Sequence, residues 1–117
     1  MSRLPVVVLA LAATALGAYL LLMYFRRERR PVAIGFHLIL GFGALEMMVF
    51  VLRDLGDLAE PGHDSNIAVG LLTLSAFLGL TMPMLARRSK SWALPMLAAH
   101  TGVGAAGVIG ALYWALH

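Results

Sequence analysis

The chain contains no cysteine among its 117 residues, which excludes disulfides, thiolate metal sites, iron–sulfur clusters and covalently attached c-type haem. It is also poor in charge, since only 13% of the residues are charged while 61% are hydrophobic. A soluble domain of this size and composition would expose apolar surface on every side. We therefore expect an integral membrane protein that forms a single membrane domain over residues 1–117.

Two function classes find no support in the sequence. The net charge of +3 comes from basic residues that flank apolar runs rather than from a basic soluble module, so no nucleic-acid partner is expected. No nucleophile–base pair, phosphate-binding glycine loop or pair of catalytic carboxylates can be assembled, so no catalytic residue is assigned. The chain is expected to act as an electron-transfer or accessory subunit rather than as an enzyme on its own.

The charged residues separate four apolar runs of about 20 residues, the length of helix that crosses about 30 Å of hydrocarbon. The predicted membrane-spanning helices are residues 4–25, 31–52, 67–85 and 92–116. The first run is longer than the apolar region of a typical signal peptide, and no polar mature sequence follows it, so we expect it to be retained. The predicted fold is all-α, a four-helix transmembrane bundle made of two tandem helical hairpins.

The basic residues predict how the bundle is oriented. Of the nine Lys and Arg residues, four lie in the connection 26–30 and three in the connection 87–90. The positive-inside rule places these connections in the cytoplasm, and both termini and the acidic loop 53–66 on the outer side. Arginine far outnumbers lysine, and Ala, Gly and Leu are abundant, as is typical of a GC-rich bacterial genome. The expected location is a bacterial inner membrane, with lipid around the bundle.

A short pattern, H-x3-G-x2-[A/G], occurs once in the second predicted span and once in the fourth. Its members are His37, Gly41 and Ala44, and then His100, Gly104 and Gly107. Steps of four and seven residues return to the same face of a helix, so each histidine heads a strip of small residues. Both histidines lie roughly 9–12 Å below the predicted inner surface. A duplication of this kind packs about a pseudo-two-fold axis, which would bring both imidazoles to the bundle centre.

Two histidines at matched depth in a membrane indicate a functional site. Neutral imidazoles from opposite helices of a bundle can hold haem b as its axial ligands. In helix number and in these two histidines the chain resembles the small four-helix membrane cytochromes b, although no family motif is matched. The expected site comprises His37 and His100 on the haem iron, Gly41, Gly104 and Gly107 lining the haem, and Arg30 and Arg88 among the inner arginines that bind its propionates. Electrons would pass to or from a quinone or a partner subunit.

The same residues allow an interpretation without a cofactor. Small residues at these spacings also let membrane helices pack closely, and a neutral histidine can bond a hydroxyl of a neighbouring helix. The candidate hydroxyls are those of Thr73, Ser75 and Thr81. The alternative function is therefore a cofactor-free accessory subunit of a larger respiratory or photosynthetic membrane complex.

Glu46 is the second ionisable group within a predicted span. It follows His37 by nine residues, which places it on the opposite face of the helix. It could be a neutral structural carboxyl, a contact for other membrane subunits, or a proton or quinone site. Small multidrug resistance exporters also have four helices and a membrane carboxylate, but theirs lies in the first helix, where this chain has none. A transporter is therefore the third interpretation.

Metal binding outside the histidine pair is less favoured. Met82 and Met84 could bind copper, but methionine is more often apolar filler. The acidic residues of loop 53–66 match neither EF-hand nor zinc spacing, so we expect a solvated loop there.

Overall fold

A computed structural model describes residues 2–55 and 64–117, most of which lie in four long helices. The helices are α1 (Leu4–Phe25), α2 (Pro31–Leu55), α3 (Asp64–Arg88) and α4 (Ala93–Leu116), and a 3₁₀ turn at Lys90–Trp92 precedes α4. The expected all-α fold with four helices is confirmed, and each helix is long and apolar enough to cross a membrane.

The helix ends differ from the predicted spans by at most three residues, both beside the acidic loop and at the end of α3, which continues past residue 85 to Arg88. α1 has the predicted bounds, whereas α2 continues beyond residue 52 and α3 begins before residue 67. A helix can extend beyond its membrane-spanning apolar segment into polar residues, because its hydrogen bonds join backbone groups and do not depend on apolar side chains. Pro83 lies inside α3 without ending it. Residues 56–63, which hold most of the predicted acidic loop, lie outside the described residues.

The connection between α1 and α2 reverses the chain within a few residues. Arg27 adopts a left-handed conformation with φ 58°, and its N–H donates to the carbonyl of Tyr24. The next N–H, that of Glu28, reaches back to the carbonyl of Met23 at 2.9 Å. These two bonds form a Schellman motif, which satisfies the last carbonyls of α1. Pro31 then begins α2, where its missing N–H costs nothing.

The helices pack mainly in consecutive pairs, α1 with α2 and α3 with α4, and smaller contacts join α1 to α4 and α2 to α3. The paired helices are antiparallel. In the first pair Leu9 lies near Gly43, whereas Ala13 lies against His37. In the second pair Ser75 lies against Gly104, whereas Gly79, later in α3, lies against His100, which comes earlier in α4. It follows that α2 and α4 face each other across a diagonal of the bundle.

Three glycines of α4 bring that helix close to α3. A Cβ at Gly104 would lie 2.7 Å from Ser75 Oγ, and one at Gly107 would lie 3.0 Å from the backbone nitrogen of Leu72. A Cβ at Gly110 would be 3.1 Å from the Cβ of a residue of α3. Small residues at such positions allow membrane helices to approach closely. The α3–α4 pair is therefore tightly packed along this strip.

The buried apolar cluster lies at the end of the bundle away from the basic connections. It consists of Val6, Met48, Val51, Leu52, Ala68, Ala111 and Trp114. The guanidinium of Arg3 stacks 4.7 Å from the centre of the Trp114 ring and donates to the Trp114 carbonyl at 2.8 Å. This contact ties the start of α1 to the end of α4. The outward faces carry exposed apolar side chains such as Ile39, 67% exposed, which suit contact with lipid.

Candidate functional site

His37 of α2 and His100 of α4 meet between the diagonal helices. Their ring centres are 6.1 Å apart and their planes make an angle of 89°. Both side chains are half-buried. The structure thus brings together the two histidines that the sequence repeat singled out, at one level in the bundle interior.

Each imidazole makes a hydrogen bond to a backbone carbonyl of the preceding helix. Nδ1 of His37 lies 2.8 Å from the carbonyl oxygen of Ala13, and Nδ1 of His100 lies 2.7 Å from that of Ser75. A carbonyl oxygen only accepts, so Nδ1 must be the donor in both rings. A neutral imidazole in this tautomer has its lone pair on Nε2, and no described residue forms a hydrogen bond with either Nε2. Both rings therefore present the nitrogen that binds metals.

A glycine lies beneath each ring. A Cβ at Gly17 would be 3.0 Å from Cε1 of His37, and a Cβ at Gly79 would be 2.8 Å from Cε1 of His100. Each glycine comes one helical turn after the residue whose carbonyl accepts the hydrogen bond. The absence of a side chain at these positions therefore lets each ring approach the neighbouring helix closely enough to reach that carbonyl.

The residues that hold the rings were not predicted from the sequence, apart from Ser75. The signal is nevertheless present, because A-T-A-L-G at 13–17 and S-A-F-L-G at 75–79 share a small residue, a leucine and a glycine at the same spacing. Gly17 precedes His37 by 20 residues, and Gly79 precedes His100 by 21. The internal repeat thus includes α1 and α3, and not only the two helices that carry the histidines.

The three predicted haem-lining glycines have different surroundings. Gly104 and Gly107 lie against Ser75 and Leu72 of α3, so they contribute to the packing of α4 on α3, and their role beside a cofactor stays a prediction. A Cβ at Gly41 would meet nothing within 4 Å among the described residues. The role of Gly41 beside a cofactor stays a prediction that its surroundings allow.

The two arginines predicted to bind propionates lie at the basic end of the bundle. Arg30 precedes α2 directly, about 10 Å along the helix axis from His37. Its guanidinium donates to Glu28 at 2.9 Å and remains half exposed. Arg88 is the last residue of α3 and is exposed. Their role toward a cofactor stays a prediction.

Thr73 and Thr81, the two other hydroxyls predicted as possible partners of the histidines, bond to their own helix instead. The hydroxyls of Thr73 and Thr81 donate to carbonyls of their own helix, those of Val69 at 2.7 Å and Phe77 at 3.0 Å. Glu46 is exposed on α2. Residues 2–55 and 64–117 contain no group of three or more His, Asp or Glu side chains that could hold a metal ion. Two imidazoles suffice for haem iron, because the macrocycle supplies the remaining ligands.

No protein family model, curated protein or solved structure matches this chain. The site consists of two imidazoles on diagonal helices, each fixed through Nδ1 and each with its Nε2 lone pair available.

Replacing Gly79 with alanine should displace the imidazole of His100, because the added Cβ would lie 2.8 Å from Cε1. Loss of the bond to the Ser75 carbonyl costs at least about 1 kcal/mol, which should lower the melting temperature in detergent by about 4 °C or more. Gly70→Ala, on the same helix, is the control, since a Cβ there meets nothing within 4 Å. Equal melting temperatures for the two variants would contradict the role given to Gly79.

Proposed function

We propose that the protein binds one haem b between α2 and α4, with His37 and His100 as the axial ligands through Nε2. The bound haem supplies one-electron chemistry by cycling between ferric and ferrous iron. A second ligand from the protein leaves no coordination position open, which suits electron transfer rather than the binding of oxygen or a substrate. The observation that carries the proposal is the distance of 6.1 Å between the two ring centres.

This distance is the one that a shared iron requires. Metal–imidazole bonds are about 2 Å long, so two nitrogens on opposite sides of one metal lie about 4 Å apart and the ring centres about 6 Å apart. A haem iron would accept two imidazoles at any angle between their planes, so planes held at 89° are as acceptable as parallel planes. Two imidazoles could also simply pack against each other without a metal. Such packing would not require a carbonyl acceptor for Nδ1 in both rings, whereas both rings here have one.

The carbonyl acceptors support the same function. Histidines that bind metals usually donate their second N–H to a carbonyl or carboxylate, which fixes the ring orientation and raises the basicity of the ligand. The carbonyls of Ala13 and Ser75 provide this contact on the two sides. Each carbonyl belongs to a rigid helix, so the rings are held in place before the cofactor binds.

The placement in the membrane follows from the charges. We place the basic connections in the cytoplasm and both termini on the outer side of a bacterial inner membrane, as two tandem hairpins. The haem would then lie nearer the cytoplasmic surface, with Gly41 beside it. Arg30 and Arg88 lie on that side, where they would pair with the propionates. A quinone or a partner subunit would exchange electrons with the haem.

The proposal predicts the absorption spectrum of the protein purified from cells supplied with haem. A Soret band should sharpen and move to longer wavelength on reduction, as for low-spin haem b. His37→Ala and His100→Ala should each remove that low-spin spectrum. His117→Ala is the control, since His117 is exposed and stacks on Tyr113 with ring centres 4.5 Å apart. A wild-type protein without the Soret band, or an unchanged spectrum in His37→Ala, would refute the proposal.

A second candidate function, an accessory subunit of a larger membrane complex, is favoured by Glu46. Its side chain is exposed on α2, with the exposed Ile39 and Phe50 on the same side of the helix. A carboxyl at this depth in hydrocarbon is costly unless a partner hydrogen-bonds to it. A neighbouring subunit could supply that partner.

If Glu46 binds a neighbouring subunit, Glu46→Leu should dissociate the assembly observed by native mass spectrometry from nanodiscs. Phe50→Leu, on the same face, is the control for a change of apolar surface and should leave the assembly intact. A wild-type protein that is monomeric, or an assembly unaffected by Glu46→Leu, would exclude this role.

A further inference from the structure

The two halves of the site correspond position by position, with one chemical difference. The corresponding pairs are His37 with His100, Gly17 with Gly79, Gly41 with Gly104, and Ala13 with Ser75. The first three pairs hold identical residues. The fourth places a hydroxyl beside one imidazole and only a methyl group beside the other.

The hydroxyl of Ser75 makes two contacts with His100. Its Oγ donates to the backbone carbonyl of His100 at 3.0 Å, and it lies 3.1 Å from Nδ1 of the same residue. Because the hydroxyl proton is directed to the carbonyl, the oxygen lone pair is left to accept from Nδ1. The Nδ1–H of His100 is thus shared between two acceptors, Ser75 Oγ and the Ser75 carbonyl at 2.7 Å.

This bond across helices differs from the bonds that the hydroxyls of Thr73 and Thr81 make in the same helix. Thr73 and Thr81 donate to carbonyls one turn earlier in their own helix, as hydroxyls in membrane helices commonly do. Ser75 instead donates to α4 and is only 5% exposed. Its position depends on the serine side chain fitting the space between α3 and α4.

Gly104 provides that space. A Cβ there would lie 2.7 Å from Ser75 Oγ, so any larger residue would displace the hydroxyl. In the other half a Cβ at Gly41 would meet nothing within 4 Å, and Ala13 has no hydroxyl to place there. The close contact between a hydroxyl and a glycine, Ser75 with Gly104, therefore occurs beside His100 and has no counterpart beside His37 among the described residues.

We propose that Ser75 is a positioning residue that holds His100 more firmly than Ala13 holds His37 and makes the two axial imidazoles electronically unequal. The inference rests on the proposed function for its redox consequence. A second acceptor on Nδ1–H draws the proton from the ring, so the ring donates more electron density to the iron and favours the ferric state. The hydroxyl therefore lowers the midpoint potential of the haem.

The test is a redox titration of four variants of the haem-loaded protein. Ser75→Ala should shift the midpoint potential upward and Ala13→Ser should shift it downward. The double variant, which exchanges the two residues, should lie between the single variants. Thr73→Val is the control on the same helix and should keep the wild-type potential. A wild-type potential in Ser75→Ala, with haem bound normally, would overturn the inference and leave the proposed function standing.

A second measurement tests the positioning role without haem. In protein purified free of cofactor, ¹⁵N nuclear magnetic resonance reports the exchange of each Nδ1 proton with water. Ser75→Ala should accelerate the exchange at His100 and leave the exchange at His37 unchanged. Unchanged exchange at His100 would overturn the inference. Absence of haem in the wild-type protein would refute the proposed function, while this measurement would still decide the role of Ser75.

Discussion

The structure of the site depends on one kind of contact that occurs twice. In each case an imidazole lies against a glycine of the preceding helix and donates its Nδ1–H to the backbone carbonyl of the residue one turn before that glycine. Within apolar surroundings an N–H without an acceptor costs several kcal/mol. The carbonyl therefore fixes both the tautomer and the direction of each ring. Gly17 and Gly79 make this possible, since a Cβ at either position would lie 3.0 Å or less from the ring.

This contact links the packing of the bundle to its chemistry. The rings are fixed by α1 and α3 through Nδ1, and no described residue forms a hydrogen bond with either Nε2. The buried apolar cluster and the contact between Arg3 and Trp114 close the opposite end of the bundle. The buried apolar cluster and the proposed haem site therefore lie at different levels of the bundle.

The helices and the histidine pair could be predicted because each leaves a local pattern. Charges mark the ends of apolar runs, and the repeat after each histidine is visible within a single helix. The partners of the histidines could not be found in the same way, since Gly17 and His37 are 20 residues apart and meet only after two helices pack. The contacts of Gly104 and Gly107 with α3 could not be predicted either, because a strip of small residues looks the same whether a cofactor or a neighbouring helix covers it.

Electron paramagnetic resonance of the oxidised, haem-loaded protein tests the central claim most directly, because the signal of low-spin ferric haem depends on the angle between the axial imidazole planes. Two imidazoles held at 89° should give the highly anisotropic low-spin signal of perpendicular ligands. A high-spin signal would show that one of the two histidines does not bind the iron, and would contradict a haem shared between His37 and His100.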